Sequence, residues 1–483
     1  MPVTLSRPAG EVDITTPEYA PLLEQLQGNI LKSHGRDAAR HVFLKFTGPA
    51  AAVRAWIKAE IAPRVLTAAQ QAAQSKSKDA NPAFDGGVVV LFFLSAEGYR
   101  YLGFDPAVFK SKAFRKGMKD QSEGGDALGT GNKDPKPATW DAGFQKTIHA
   151  MVALADDAPD ESRVLNTLQQ LSGQLGGLAE IVTVEVGKTL RRKIRGKLEP
   201  VEHFGYFDGI SQPVFTKQDL AKDRAAGKTR ANGGWDPGAS LDLVLVDDPF
   251  SNSPDAFGSY LVYRKLAQDY DQFQGRVAAC AAAIGSTPIL AGAMAVGRFQ
   301  DGTPVVDSSA PAEKFTNEFM FDDEDEDGFK CPRHAHIRKV NPRGTTPFTS
   351  LEKERRRRIV RRGIPYGKPV PQIESDANQT DPNTAAPRGL LFQCFQANIE
   401  KQFEFIQRTW VDNPNFPVSL LNPFKKDTGD DPLIGQDRDE GQRWPKKWDD
   451  ESAGRKTFNF EAAVTLRGGE YLFAPSKPFL AGL

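Results

Sequence analysis

The chain has 483 residues, 39% of them hydrophobic and 26% charged, which is enough apolar material for one to three domains with a large buried core. Its 62 basic and 62 acidic residues leave a formal net charge of +0, so no global field favours nucleic acid or an anionic membrane. No apolar run approaches the roughly 18 residues of a membrane span, and the three distant cysteines, Cys280, Cys331 and Cys394, form no C-x-x-C pair and indicate neither a zinc knuckle nor a disulfide framework. A reducing compartment follows from that cysteine usage. The stretch Met1 to Pro8 lacks a basic region followed by an apolar one, and lacks a twin-arginine pair, so no export signal is read and a cytoplasmic location is expected.

In chain order, His41 to Phe46 alternates and predicts a strand, and Ala50 to Ile61 sets Val53, Trp56, Ile57 and Ile61 on one helical face. Val88 to Leu94 is a continuous apolar run, predicting a buried strand, and residues 146–155 alternate again through Ile148, Ala150, Val152 and Leu154. Asp160 to Leu171 has helical spacing, and the stretch around Ile181 to Val186 is a further strand. The order β-α-β-β-α-β is the ferredoxin-like pattern. The second half repeats it loosely: a strand at Ser259 to Tyr263, a helix at Ala267 to Ala283, a strand at Gly389 to Phe395, a helix at 399–408 and a last strand at Glu470 to Ala474. An α+β fold of two similar halves is therefore expected. Irregular inserts are expected at about 62–86, 104–145, 214–257 and 410–458, rich in Gly, Pro, Asp and Lys. The acidic run Asp322 to Asp327 reads as a solvated loop, with a cation site as the alternative, and Arg355 to Arg358 as a solvated or ion-paired helix face.

Three segments carry chemistry. His336 is one of six histidines, and a single imidazole nitrogen is the common protein ligand of haem iron. With His334 it also forms a His-x-His pair, but the segment lacks the full set of Cys and His ligands that a zinc site needs, so the zinc reading is weak. Asp208 lies in Gly205-x-x-Asp208-Gly209; alone this is a turn, and near a pocket it is a rigidly held carboxylate able to move a proton. Arg361 is either one more member of the basic face or a fixed cation at an element terminus, since Gly363 and Pro365 follow it.

Taken together, these residues resemble the dye-decolorizing (DyP-type) peroxidase family. Gly205-x-x-Asp208-Gly209 resembles its signature motif, Cys331-Pro332-x-x-Ala335-His336-Ile337-Arg338-Lys339-x-Asn341-Pro342-Arg343 its proximal segment, and Arg361-x-Gly363-Ile364-Pro365-Tyr366-Gly367 its distal segment. Gly389-Leu390-Leu391-Phe392, Leu26 to Lys32 and Gly468 to Phe473 extend the likeness over nearly the whole chain, and its length is similar to that of the longer bacterial members related to the fungal enzymes. The resemblance implies two ferredoxin-like domains with antiparallel sheets, placed at residues 1–204 and 205–483, and one haem b per chain bound mainly by the second. It implies His336 as the proximal ligand, Asp208 as the acid–base residue, Arg361 rather than Arg362 as the distal cation, and Phe392 against the distal face. An acidic residue often follows the Gly-Leu-Leu-Phe strand as partner of the proximal histidine; Asn398 falls there, with Glu400 close by. The implied activity reduces hydrogen peroxide to water through an oxyferryl haem while oxidising phenols or anthraquinone and azo dyes. Haem handling without turnover is the alternative. Trp410, Trp444 and Trp448 lie in a polar insert and are candidates for exposed aromatic residues, with packing as the ordinary expectation for each. Oligomeric state and manganese oxidation stay open.

Overall fold

The computed structural model describes residues 3–122, 132–226, 234–346, 349–371, 381–417, 428–436 and 441–483. In the first half, β1 (Ala38–Phe46), β2 (Val89–Leu94), β3 (Ala150–Asp156) and β4 (Ala179–Lys188) pair antiparallel in the order β2-β3-β1-β4. Val152 thus faces Phe92 on one side and Val42 on the other. Helix Ala50–Trp56, prolonged by the wider turn Ile57–Ile61, connects β1 to the β2 region, and helix Ser162–Gln174 connects β3 to β4. This is the connectivity and strand order of a ferredoxin-like unit.

A hairpin, β5 (Leu190–Ile194) and β6 (Lys197–Val201), leads out of that unit. The short β7 (Val246–Asp247) lies beside β8 (Phe257–Gln268), which is longer than expected: Ala267 and Gln268 belong to the strand, and the helix begins at Tyr270. That helix, Tyr270–Ile284, starts where the Asp269 carboxylate accepts the Gln272 N–H and stops at Gly285, whose φ of 70° few other residues adopt. The unit is completed by β9 (Val360–Arg361), β10 (Ile364–Tyr366), β11 (Gly389–Gln396) and, after the hairpin β12 (Gln442–Pro445) and β13 (Arg455–Phe458), β14 (Val464–Ala474). Its order, β14-β8-β11-β10, repeats that of the first half.

The two units are not separate sheets. Phe473 of β14 pairs with Leu94 of β2, so the strands of both units form one ten-stranded sheet, with the hairpins β5–β6 and β12–β13 outside it. The sheet curls until its two ends meet. A Cβ on Gly187 of β4 would lie 2.5 Å from Cγ2 of Ile364 on β10, so only glycine permits that approach.

Of the inserts expected to be irregular, 62–86 contains helix Ala68–Ala80, opened by a reciprocal capping box between Thr67 and Gln70. Helix Lys217–Ala225 and the β12–β13 hairpin fall in two others. The acidic run is not a solvated loop throughout: Asp325 is buried and accepts the N–H groups of Phe329, Lys330 and Cys331. No single helix among the described residues is long and apolar enough to cross a membrane.

Candidate active site

Strand register decides which side chains share one face of the second unit. Val262, Arg264 and Leu266 of β8 stand beside Cys394, Phe392 and Leu390 of β11. On the other side stand Tyr471, Gly469 and Leu466 of β14. Leu266, Leu390, Phe392 and Leu466 line a cavity of about 260 Å³, and Ile337, Val340 and Ile406 line it as well. A mostly apolar cavity with a few convergent polar groups is the usual form of a cofactor site.

His336 opens the short helix His336–Val340 and lines this cavity. Its Nδ1 lies 2.8 Å from Oδ2 of Asp431, whose side chain is fully buried. The other oxygen of Asp431 accepts the N–H groups of Leu433 and Ile434 at 2.8 and 3.1 Å. A carboxylate held this way can only accept, so Nδ1 carries the imidazole proton and Nε2 keeps its lone pair. Nε2 makes no hydrogen bond among the described residues.

Asp431 corrects the expectation for this histidine's partner. The Asn398 side chain accepts the Lys401 N–H in a local turn, and Glu400 accepts from Ser111 Oγ and the Ala113 N–H, so neither is the partner of His336. The chain turns at the end of β11 and leaves both residues tied to their own surroundings. Asp431 comes from the far insert, and its only sequence signal is an Asp-Asp-Pro turn.

Arg361, which also lines the cavity, ends β9, paired with Cys394 of β11. One guanidinium nitrogen donates to the Ile210 carbonyl at 2.9 Å, and another lies 3.6 Å from Oδ1 of Asp208. Asp208 stands in a tight turn with Gly205 at φ 90° and Gly209 at φ 85°, and its Oδ1 accepts the Gly209 N–H. Arg361 and the stretch Ile210 to Pro213 line the cavity; Asp208 does not line it and meets it through Arg361. The neighbouring Arg362 points elsewhere, donating to the carbonyls of Asn29 and Ile30. Phe392 lines the cavity and packs 6.3 Å, ring to ring, from Phe403.

Arg298 and Arg343 also line the cavity, and sequence reasoning assigned them no role. Both donate to the Asn317 side chain, and Arg343 lies over the rings of Trp235 and Phe319 at 4.7 and 4.0 Å. Neither forms an ion pair among the described residues, and burial pulls Arg298 down to about 10. Burial and then the neighbouring Arg298 push Arg343 well below its ordinary value. Two buried cations with no carboxylate in direct contact, and only the more distant Asp307 and Glu324 acting on them, suit an acidic ligand. A free imidazole nitrogen, apolar walls and these cations fit a haem, with its iron and its two propionates. Asp431→Asn should therefore weaken haem retention or turnover by about 10–100-fold, as loss of a carboxylate behind a metal-bound histidine generally does; a haem-release assay against apomyoglobin reads the retention.

Trp410 and Trp444, candidates for exposure, are buried; Trp410 stacks on Phe416 and Trp444 meets His334 edge-on. Trp448 is half-buried and donates to the Val305 carbonyl. No cluster of three or more His, Cys, Asp or Glu able to hold a metal ion occurs among the described residues, the acidic run included.

Residues 244–430 match the family described as Dyp-type peroxidase, C-terminal. The chain is 36% identical over 496 residues to Multifunctional dye peroxidase DyP2 of Amycolatopsis sp., covering 100% of both. It is 30% identical to Peroxidase 2 of Mycetinis scorodonius, over 94% of this chain and 86% of that one. Among solved structures, the DyP-type peroxidase of Anabaena sp. superposes with a TM-score of 0.86 at 40% identity, over 99% of this chain and 98% of that chain. The DyP2 structure from Amycolatopsis sp. superposes with a TM-score of 0.88 at 34% identity over 100% of both.

Proposed function

The chain belongs to the dye-decolorizing (DyP-type) peroxidases, and from that premise we propose that His336 binds the iron of a haem b, that Asp208 and Arg361 act on hydrogen peroxide opposite it, and that phenols or anthraquinone and azo dyes are the electron donors. The observation that carries this reading is the placement of His336 and Arg361 on one cavity, with Asp208 within 3.6 Å of Arg361. The names of the matched relatives, which are peroxidases, favour turnover over haem handling.

Haem bound there supplies the iron at which the O–O bond of peroxide breaks and through which a donor is oxidised one electron at a time. The protein's own part begins with orientation. Asp431 fixes the tautomer of His336 and raises its basicity as a ligand. Asp208, held beside Arg361 at the edge of the site, would serve as the carboxylate that carries a proton from one peroxide oxygen to the other so that water can leave. Arg361 stabilises the negative charge that develops as the bond lengthens, and its tie to the Ile210 carbonyl fixes it before peroxide arrives. Phe392, Leu390 and Leu466 keep the floor apolar and exclude water.

Asp208→Asn tests the proton role. It should slow the peroxide step by about 10²-fold, the lower end for a positioned acid–base group, with haem content and Soret position kept. An unchanged rate in rapid mixing would remove Asp208 from the mechanism.

The division into units 1–204 and 205–483 belongs to the same reading. It is supported by the cavity lining, which begins at Ile210. The cytoplasmic location is supported by the three unpaired, buried cysteines.

A further inference from the structure

Lys339 is the most unusual group near the site that the mechanism leaves unused. It lies three residues after His336 on the same short helix, and its side chain is completely buried. Burying an ammonium group is costly unless its donors are matched. Here Nζ donates to two main-chain carbonyls, Trp410 at 3.1 Å and Asn413 at 2.7 Å. Those carbonyls flank a segment with a second duty. The carbonyl of Val411 accepts the N–H of Asp431 at 3.2 Å, and that of Pro414 accepts the N–H of Gly429 at 2.8 Å. Segment 410–414 is therefore clamped from one side by Lys339 and holds the run 429–431 on the other. At the end of that run, Asp431 reaches back to Nδ1 of His336. The loop closes on itself: His336, helix, Lys339, segment 410–414, Asp431, His336.

We propose that Lys339 is a positioning residue for the His336–Asp431 hydrogen bond, clamping the segment that carries the carboxylate to the helix that carries the imidazole. The inference rests on His336 being the iron ligand. Burial lowers Lys339 to about 8, while the nearby Asp430, Asp431 and Asp412 favour its charged form, consistent with an ammonium group at neutral pH. A neutral side chain of similar length would leave the Trp410 and Asn413 carbonyls without their donor, and segment 410–414 would be free to drift. The Asp431 hydrogen bond would then lengthen, the imidazole would become a weaker donor to iron, and the bond between them would soften.

The test is resonance Raman spectroscopy of the ferrous, haem-loaded protein, reading the iron–histidine stretching band. Lys339→Met should move that band to lower frequency. Asp431→Asn should lower it as well, and the double variant should sit where Asp431→Asn alone does, because Lys339 acts through Asp431. If Lys339→Met does not accumulate folded, Lys339→Gln, which keeps a shorter donor, carries the same comparison with a smaller shift. An unmoved band, or a band raised because a cation beside Asp431 has been removed, would overturn the positioning role. So would a full additional shift in the double variant. Absence of the band in the unaltered protein would instead overturn ligation by His336, and the inference with it.

Discussion

Replacing His336 by alanine should abolish stable haem binding. The cavity contains one imidazole, and that imidazole has its Nδ1 fixed by a buried carboxylate. The other lining side chains are apolar groups, arginines, amides and a hydroxyl, none of which is a good ligand for haem iron. The nearest other histidine in sequence, His334, is buried against Trp444 and cannot substitute without breaking that packing. Removing a partner of a metal-bound histidine already costs about 10–100-fold, so removing the ligand itself should cost more. Reconstituted His336→Ala protein should elute from gel filtration with little or no Soret absorbance. Retained haem with an unchanged Soret band would sink the ligand assignment. Because apolar walls and the Arg298–Arg343 pair remain, some loosely held haem is compatible with the account if its band is broadened and shifted.

The second large effect is expected at Arg361. Loss of one preorganised donor at a developing negative charge typically slows the reaction by about 10²–10³-fold. Arg361→Leu should show that loss in the peroxide step while keeping haem content, since the guanidinium is tied to Ile210 and Asp208 rather than to the proximal side. Rapid mixing with peroxide at several concentrations separates the bimolecular step from later donor oxidation. An unchanged rate would exclude Arg361, and Arg362 offers no ready replacement because its donors are committed to Asn29 and Ile30.

Much of the fold was legible because both halves carry local periodicity. β1, β3 and the helix Ser162–Gln174 follow from alternation and helical spacing over a few residues. What local pattern cannot carry is the pairing of Phe473 with Leu94, a contact between residues far apart in the chain that merges two units into one sheet. Helix Ala68–Ala80 escaped notice for another reason: its Ala, Gln, Ser and Lys residues bury little, so no apolar stripe marks it, and the Thr67–Gln70 capping box was the available signal.

The site divides in the same way. His336, Asp208 and Arg361 sit in short glycine-, proline- or arginine-rich motifs, and the fold brings His336 and Arg361 to one cavity, with Asp208 beside Arg361. Asp431 was missed because its partner lies 95 residues away and its own surroundings are a polar turn. Trp410 and Trp444 follow the ordinary expectation of packing and not the exposure that their polar insert allows; both are anchored under neighbouring aromatic rings. In the basic run, Arg357 lies 3.9 Å over Phe405 and Arg358 near Trp235, so part of what reads as a charged face packs on aromatic surfaces.

The most direct test of the central claim is a rapid-mixing absorbance measurement on haem-loaded protein with equimolar hydrogen peroxide. The account predicts that the Soret band loses intensity within milliseconds and returns when a phenol or anthraquinone dye is added, with the initial loss slowed in Arg361→Leu. A Soret band that stays in its resting ferric form after peroxide would contradict a peroxidase cycle at this cavity.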